Sequence, residues 1–184
     1  PNEQGKNYWD TNNQLAASFG GSNTTETTNI PHGGNKAAML ESKYFFKFYA
    51  ASLFTGSFLE HDADGENVNW GTPFTSRPTA LKGWMRYAPV NIAASGTQGF
   101  SSDAPADAPG RGEPDVCAIF CALLSETLTV DNTDISTFPD LETDPRVIAY
   151  GALPAEQSVS TDGQWKEVDI PLVYRDLNRK PTHL

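Results

Sequence analysis

Gly71-Thr-Pro-Phe-Thr-Ser-Arg-Pro-Thr-Ala-Leu-Lys-Gly-Trp-Met-Arg-Tyr-Ala-Pro89 divides into two halves. Up to Pro78 it is a turn built from Gly, Pro and Ser. From Thr79 to Tyr87 it reads as one β-strand. A strand sends alternate side chains to opposite faces, which puts Leu81, Gly83, Met85 and Tyr87 on one side and Lys82, Trp84 and Arg86 on the other. The first face suits a core. The second sets a large aromatic between two cations, an unusual composition for a plain solvent face. The stretch predicts a fold class and a candidate binding face, and by itself names no reaction.

The rest of the composition agrees with strands. The chain has 184 residues, enough for one substantial core and short for two, so a single domain over 1–184 is expected. It carries 15 Gly and 13 Pro, and Thr, Ser and Asn are also plentiful, which favours short strands with long loops over helices. The net charge of −10 repels phosphate backbones and anionic lipid, so nucleic acid is not an expected partner. No apolar run approaches the roughly 20 residues of a membrane span. No signal peptide is present, and the chain begins abruptly at Pro1, as if a leader had been removed.

Outward from the central stretch, Leu53 to Leu59 alternates, with Phe54, Gly56 and Phe58 on one face. Lys43 to Tyr49 is aromatic on both faces and predicts one strand buried on both sides. Lys36 to Glu41 is a short apolar segment, and Gly20 to Asn29 is either an exposed strand or a loop. Residues 91–113 read as a long linker broken by Asp and Pro. Asp115 to Leu124 is the most apolar strand and is expected in the middle of a sheet. Val130 to Asp144 reads as an irregular insertion, and Arg146 to Ala152 as a short strand. In Gln164 to Arg175, Val168, Ile170 and Leu172 face one way and Trp165, Glu167 and Asp169 the other. Short strands separated by Gly, Pro, Asn and Asp turns are the pattern of an all-β sandwich.

Several motifs together resemble those of the putative carbohydrate metabolism domain (PCMD) family of gut Bacteroidetes. The central stretch resembles the family's hallmark. Leu53-Phe-Thr-Gly-Ser-Phe58 resembles the strand before it, and Asp115-Val-Cys-Ala-Ile-Phe-Cys-Ala-Leu-Leu-Ser-Glu126 resembles its central strand. Trp165-Lys-Glu-Val-Asp-Ile-Pro-Leu-Val-Tyr174 and Tyr8-Trp-Asp-Thr-Asn-Asn13 resemble its late strand and its N-terminal motif. The resemblance implies a jelly-roll β-sandwich similar to galactose-binding domains. It also implies export to the cell surface or periplasm, often on lipoproteins anchored outside this chain and near polysaccharide-utilisation machinery. It brings no catalytic residues. Family members usually continue past the position of Pro181-Thr-His-Leu184, so the last strand or strands are expected to be missing, which would leave an open sheet edge for a protein partner.

Lys82, Trp84 and Arg86 form the sharpest candidate site. A flat indole packs against the apolar face of a sugar ring while a cation donates hydrogen bonds to its hydroxyls. The competing reading has Trp84 packed under a loop. Trp9, Asp10, Asn12 and Asn13 form a second candidate, a Trp beside short polar groups; alternatively Trp9 plugs the end of the sandwich and Asp10 or Asn12 caps a turn. Arg77, held extended by Pro78, either binds a ligand carboxylate or is buried against Asp115 or Asp169. Trp70 and Trp165 read as core edges.

Asp62-Ala-Asp-Gly-Glu66 lacks the glycine position of an EF-hand, so no metal is expected. Asn23-Thr24-Thr25 matches a glycosylation sequon. Cys117 and Cys121, four residues apart on one strand face, would be roughly 13 Å apart. That is too far for a disulfide, whose Cα atoms lie within about 7 Å, so buried inert thiols are expected. Glycoside hydrolysis needs two carboxylates across a cleft. Asp115, Glu126, Glu167 and Asp169 are available, but no motif singles out a pair. No cofactor pattern is present. The expected function is a carbohydrate-recognition domain of an exported protein. The alternatives are a glycoside hydrolase and a structural adhesion or assembly module.

Overall fold

A computed structural model describes residues 8–14, 21–45, 47–61, 66–93, 110–131 and 134–184. In chain order its strands are β1 (Trp9–Thr11), β2 (Thr24–Thr27), β3 (Ala37–Leu40), β4 (Lys43–Phe45), β5 (Lys47–Tyr49), β6 (Leu53–His61) and β7 (Glu66–Trp70). There follow β8 (Ala80–Met85), β9 (Phe120–Leu124), β10 (Leu128–Asp131), β11 (Val147–Ala152), β12 (Lys166–Pro171) and β13 (Val173–Tyr174). Every pairing among them is antiparallel. The all-β class expected from the sequence is the class observed, in several antiparallel sheets of the sandwich kind.

Two compact units share the chain. The first comprises Pro1–Phe74, Glu126–Pro139 and His183–Leu184; the second comprises Thr75–Ser125 and Asp140–Thr182. In the first, β1-β6-β7-β10 form one sheet, and β2-β3 and β4-β5 form ribbons. The alternation of β6 is realised: Phe58 is buried with Val68 and Val130, Phe54 and Trp70 pack against them, and Leu53 and Leu59 are exposed. The ring of Phe138 meets Trp70 edge-on at 5.4 Å. Gly56, at φ 138°, lies so close to β7 that a Cβ there would fall 2.0 Å from the Asn69 carbonyl oxygen. His183 bridges Pro73, and Leu184 exchanges two backbone hydrogen bonds with Thr72.

In the second unit, β13-β11-β9 form a sheet and β12-β8 a ribbon. Their shared core holds Leu153, Val168 and Ile170, with Leu81, Met85, Cys117 and Ile119 packed around it. Of these, Leu81, Met85, Val168 and Ile170 are inward residues that the period-two reading picks out of β8 and β12. The ribbon comes close to β11 at Gly151, where a Cβ would lie 2.2 Å from the Pro171 carbonyl oxygen. After Pro171 the chain changes sheets. Leu172 N–H still donates to Thr79 O at 2.9 Å, while Val173 pairs with Tyr150 of β11.

Three expectations are corrected, and the sequon match is placed. The apolar run Asp115–Leu124 is not mid-sheet among the described strands: only Phe120–Leu124 is strand, and β9 ends the sheet order while β11 occupies the middle. Leu123 and Leu124 of β9 are as covered as Val147, Ile148 and Ala149 of β11, so apolar content does not tell the outer strand from the central one. Lys43–Phe45 and Lys47–Tyr49 are two strands paired antiparallel, Tyr44 opposite Phe48, rather than one strand. Two short strands joined in a ribbon satisfy their backbone groups as one long strand would, and side-chain propensity does not distinguish the two. The insertion expected from Val130 begins as strand, because Leu128 and Val130 are buried and β10 pairs with β7. Asn23 of the sequon is 1% exposed and its amide donates to Ala50 O at 3.0 Å, so it is no glycan acceptor as folded.

The linker's described ends pair with one another, Asn91 bridging Pro114 and Ile92 N–H donating to Glu113 O at 2.9 Å. Residues 94–109 and the Asp62–Gly65 part of the acidic turn lie outside the described residues.

Candidate functional site

The outward face of the β8–β12 ribbon follows from two alternations held in register. Lys82 stands opposite Asp169 and Trp84 opposite Glu167. Just beyond the end of the ladder, the Arg86 guanidinium lies 6.0 Å from the Trp165 indole centroid, at the outer limit of a cation–π contact. Inward residues of both strands anchor the ribbon on the core, so the outward row is presented from a rigid backing. Trp84 is 48% exposed. The indole of Trp165 is its diagonal cross-strand neighbour, a spacing of about 7–8 Å in such ladders and within reach of aromatic rings.

Lys82 Nζ donates to Asp169 Oδ2 at 2.5 Å. That hydrogen bond, then the carboxylate's charge, holds the ammonium pKa above the ordinary lysine value. Both partners are exposed, so the pair adds little to stability; its consequence is that the cation is already occupied. At the other end, the Asp162–Gly163 turn runs at positive φ and closes against Arg86: a Cβ on Gly163 would sit 3.4 Å from the guanidinium. This turn is tied to the end of β8 by Thr161, whose N–H donates to Tyr87 O at 3.0 Å and whose Oγ1 accepts from Tyr87 N–H at 3.1 Å. Arg86 Nε is buried and takes no hydrogen-bond partner among the described residues.

The second candidate separates into an exposed ring and a set of structural polar groups. Trp9 is 53% exposed and meets Tyr8 edge-on, so it does not plug the unit's interior. Asp10 is buried. Its Oδ2 accepts from Phe58 N–H at 2.8 Å and its Oδ1 from Thr11 N–H at 2.9 Å. Asn12 donates to Ala50 O at 2.5 Å. Asn13 Oδ1 accepts from the N–H groups of Asn23 and Thr24, and its amide donates back to Thr24 O at 2.6 Å. These side chains hold loops together.

Arg77 is exposed rather than buried against an acid. Its guanidinium donates to Arg179 O at 2.9 Å and lies 4.5 Å over the Tyr174 ring, whose hydroxyl donates to Pro78 O. The arrangement clamps the turn before β8 onto the segment after β13. Of the four carboxylates, Asp169 is committed to Lys82. Glu167 and Asp169 leave the same face of one strand and do not oppose each other across a cleft. Asp115 and Glu126 are exposed loop residues. Among the described residues no group of three or more His, Cys, Asp or Glu side chains could hold a metal. Both cysteines are free thiols; Ser158 Oγ accepts from Cys117 N–H at 2.6 Å, and burial pushes the Cys121 thiol up to about 11.

Sequence reasoning placed Trp165, Glu167 and Asp169 on one face and took the first for a core edge and the others for candidate acids. What it lacked was the register that sets them beside Arg86, Trp84 and Lys82. The sequence carries two period-two strands with opposite charges on their outward faces, but nothing along the chain pairs them.

A family model for the putative carbohydrate metabolism domain matches residues 1–183. The chain belongs to that family. The resemblance read from the motifs is thereby shown over essentially the whole length, and the family's name suggests a carbohydrate-related domain. No curated protein matches the chain. No helix among the described residues of this PCMD chain is long and apolar enough to cross a membrane.

Proposed function

We propose that this PCMD chain is a carbohydrate-recognition domain and that the outward face of the β8–β12 ribbon holds the glycan. The observation that carries the reading is Trp84: a large apolar ring left 48% exposed on a strand whose other face is anchored in the core, with charged hydrogen-bonding groups on the facing strand. An indole in that setting offers its face to sugar C–H groups, and Glu167, Asp169 and Lys82 offer acceptors and a donor to the hydroxyls around it. Trp165 extends the aromatic surface diagonally. The family's carbohydrate name supports the ligand class. The same reading sets the domain on an exported protein serving polysaccharide use, where antibody labelling of intact cells would find it at the surface.

The test is a glycan array followed by titration calorimetry on the hits, with wild type and Trp84→Ala side by side. Loss of a stacked indole should weaken binding at least about tenfold, the equivalent of about 1.4 kcal/mol. Equal affinity in the two proteins would remove Trp84 as the platform. Silence from both across a broad array would remove the carbohydrate reading of this face.

A further inference from the structure

The cations that flank Trp84 along the strand do not stand alone. Lys82 is bound to Asp169 at 2.5 Å. Arg86 lies over Trp165, against the Asp162–Gly163 turn. Directly across from Trp84 stands Glu167. Two positive and two negative side chains cancel on this face, and the chain around it carries −10.

We infer that the face selects uncharged glycans and that Asp169 is the specificity-determining residue, because it occupies the ammonium that an acidic sugar would need. The inference rests on the reading that this face binds glycan, and it adds which class. A carboxylate has two oxygens, each able to accept from a hydroxyl, so Glu167 and the outer oxygen of Asp169 suit neighbouring sugar hydroxyls. A uronate or sulfate has no hydroxyl proton to give at its charged group. At Lys82 it must compete with Asp169, which is tethered opposite at an effective concentration on the order of millimolar or higher. It must also approach Glu167, a like charge one ladder step away.

The experiment compares neutral and uronate oligosaccharides of matched length and linkage, such as galactan and galacturonan fragments, added to wild type, Asp169→Asn, and Asp169→Asn combined with Lys82→Gln. Calorimetry in low salt reads the affinities, and circular dichroism checks each fold. Wild type should hold neutral fragments at least tenfold more tightly than uronates. Asp169→Asn keeps the side chain's shape and frees the ammonium, so uronate affinity should rise at least fivefold and fall again with added salt. Adding Lys82→Gln should abolish the gain. Trp84-dependent binding in which wild type takes uronates as well as neutral fragments, or in which Asp169→Asn leaves the preference unchanged, would overturn the selectivity and leave the binding face standing. Absence of binding to either class by any variant would overturn both.

Discussion

Asp10 shows how a single side chain supplies acceptors that the sheet does not. It belongs to β1, which pairs with β6 over Leu53 to Thr55. Phe58 N–H, further along β6, donates to Asp10 Oδ2, while Oδ1 takes Thr11 N–H. Asp10→Ala removes both acceptors and leaves a buried N–H with nothing to bond. It should lower unfolding free energy by about 1–3 kcal/mol in urea titrations, with Asp10→Asn losing less because one acceptor oxygen remains. An unchanged midpoint would mean that water replaces the carboxylate at no cost. At this scale the sequence is read only in part. A Trp-Asp-x-Asn-Asn run fits a sugar site and a set of turn caps equally well, since both use the same acceptors. Only the burial of Asp10 and the bonds of Asn12 and Asn13 to distant backbone groups separate the two.

Among the elements, β8 and β12 were the most legible. Their inward residues repeat every second position and their outward residues are charged or aromatic, so the pattern has one solution. Residues 43–49 and 115–124 were less so. An aromatic run carries no mark of where it reverses, and apolarity alone does not separate a central strand from an edge strand beside buried loops. Close approach between elements is likewise invisible along the chain. Gly83 and Gly151 both sit inside strands, yet only the second meets a neighbour: its Cβ would lie 2.2 Å from Pro171 O and 3.0 Å from Ile170 Cγ2, whereas nothing lies within 4 Å at Gly83. Gly151→Ala should therefore force β11 and β12 apart and cost at least about 3 kcal/mol, the upper end of overpacking. Gly83→Ala should fall within about 0.5 kcal/mol of wild type or stabilise slightly, by narrowing the unfolded ensemble. Thermal unfolding of the two variants in parallel checks the contrast, and equal shifts would show that Gly151 has room to spare.

At the scale of the whole molecule, the all-β class followed from composition and turn spacing, but the assembly did not. One unit draws on three separate stretches of chain and the other on two, and period-two patterns do not say which strand meets which. Titration behaviour belongs to this scale, because a pKa displaced by burial reports the unit's folding as a whole. In the second unit, burial raises the Cys121 thiol from 9.0 to about 11, and burial followed by the charge of Asp115 raises Tyr87 from 10.0 to about 12. The folded state therefore keeps protons that the unfolded chain has begun to release. Stability from these groups is complete below pH 9, falls as the pH climbs through the unfolded values, and is spent once the folded values are passed. For Cys121 the loss between pH 9 and 11 should reach roughly 2 kcal/mol. Urea titrations at pH 8, 10 and 11 should show wild type losing that much more than Cys121→Ala over the interval, although the variant starts lower for want of the buried sulfur. Parallel decline of the two proteins would mean that the thiol is solvated enough in the folded unit to ionise at its ordinary pKa, and that the interior around β9 is wetter than its packing indicates.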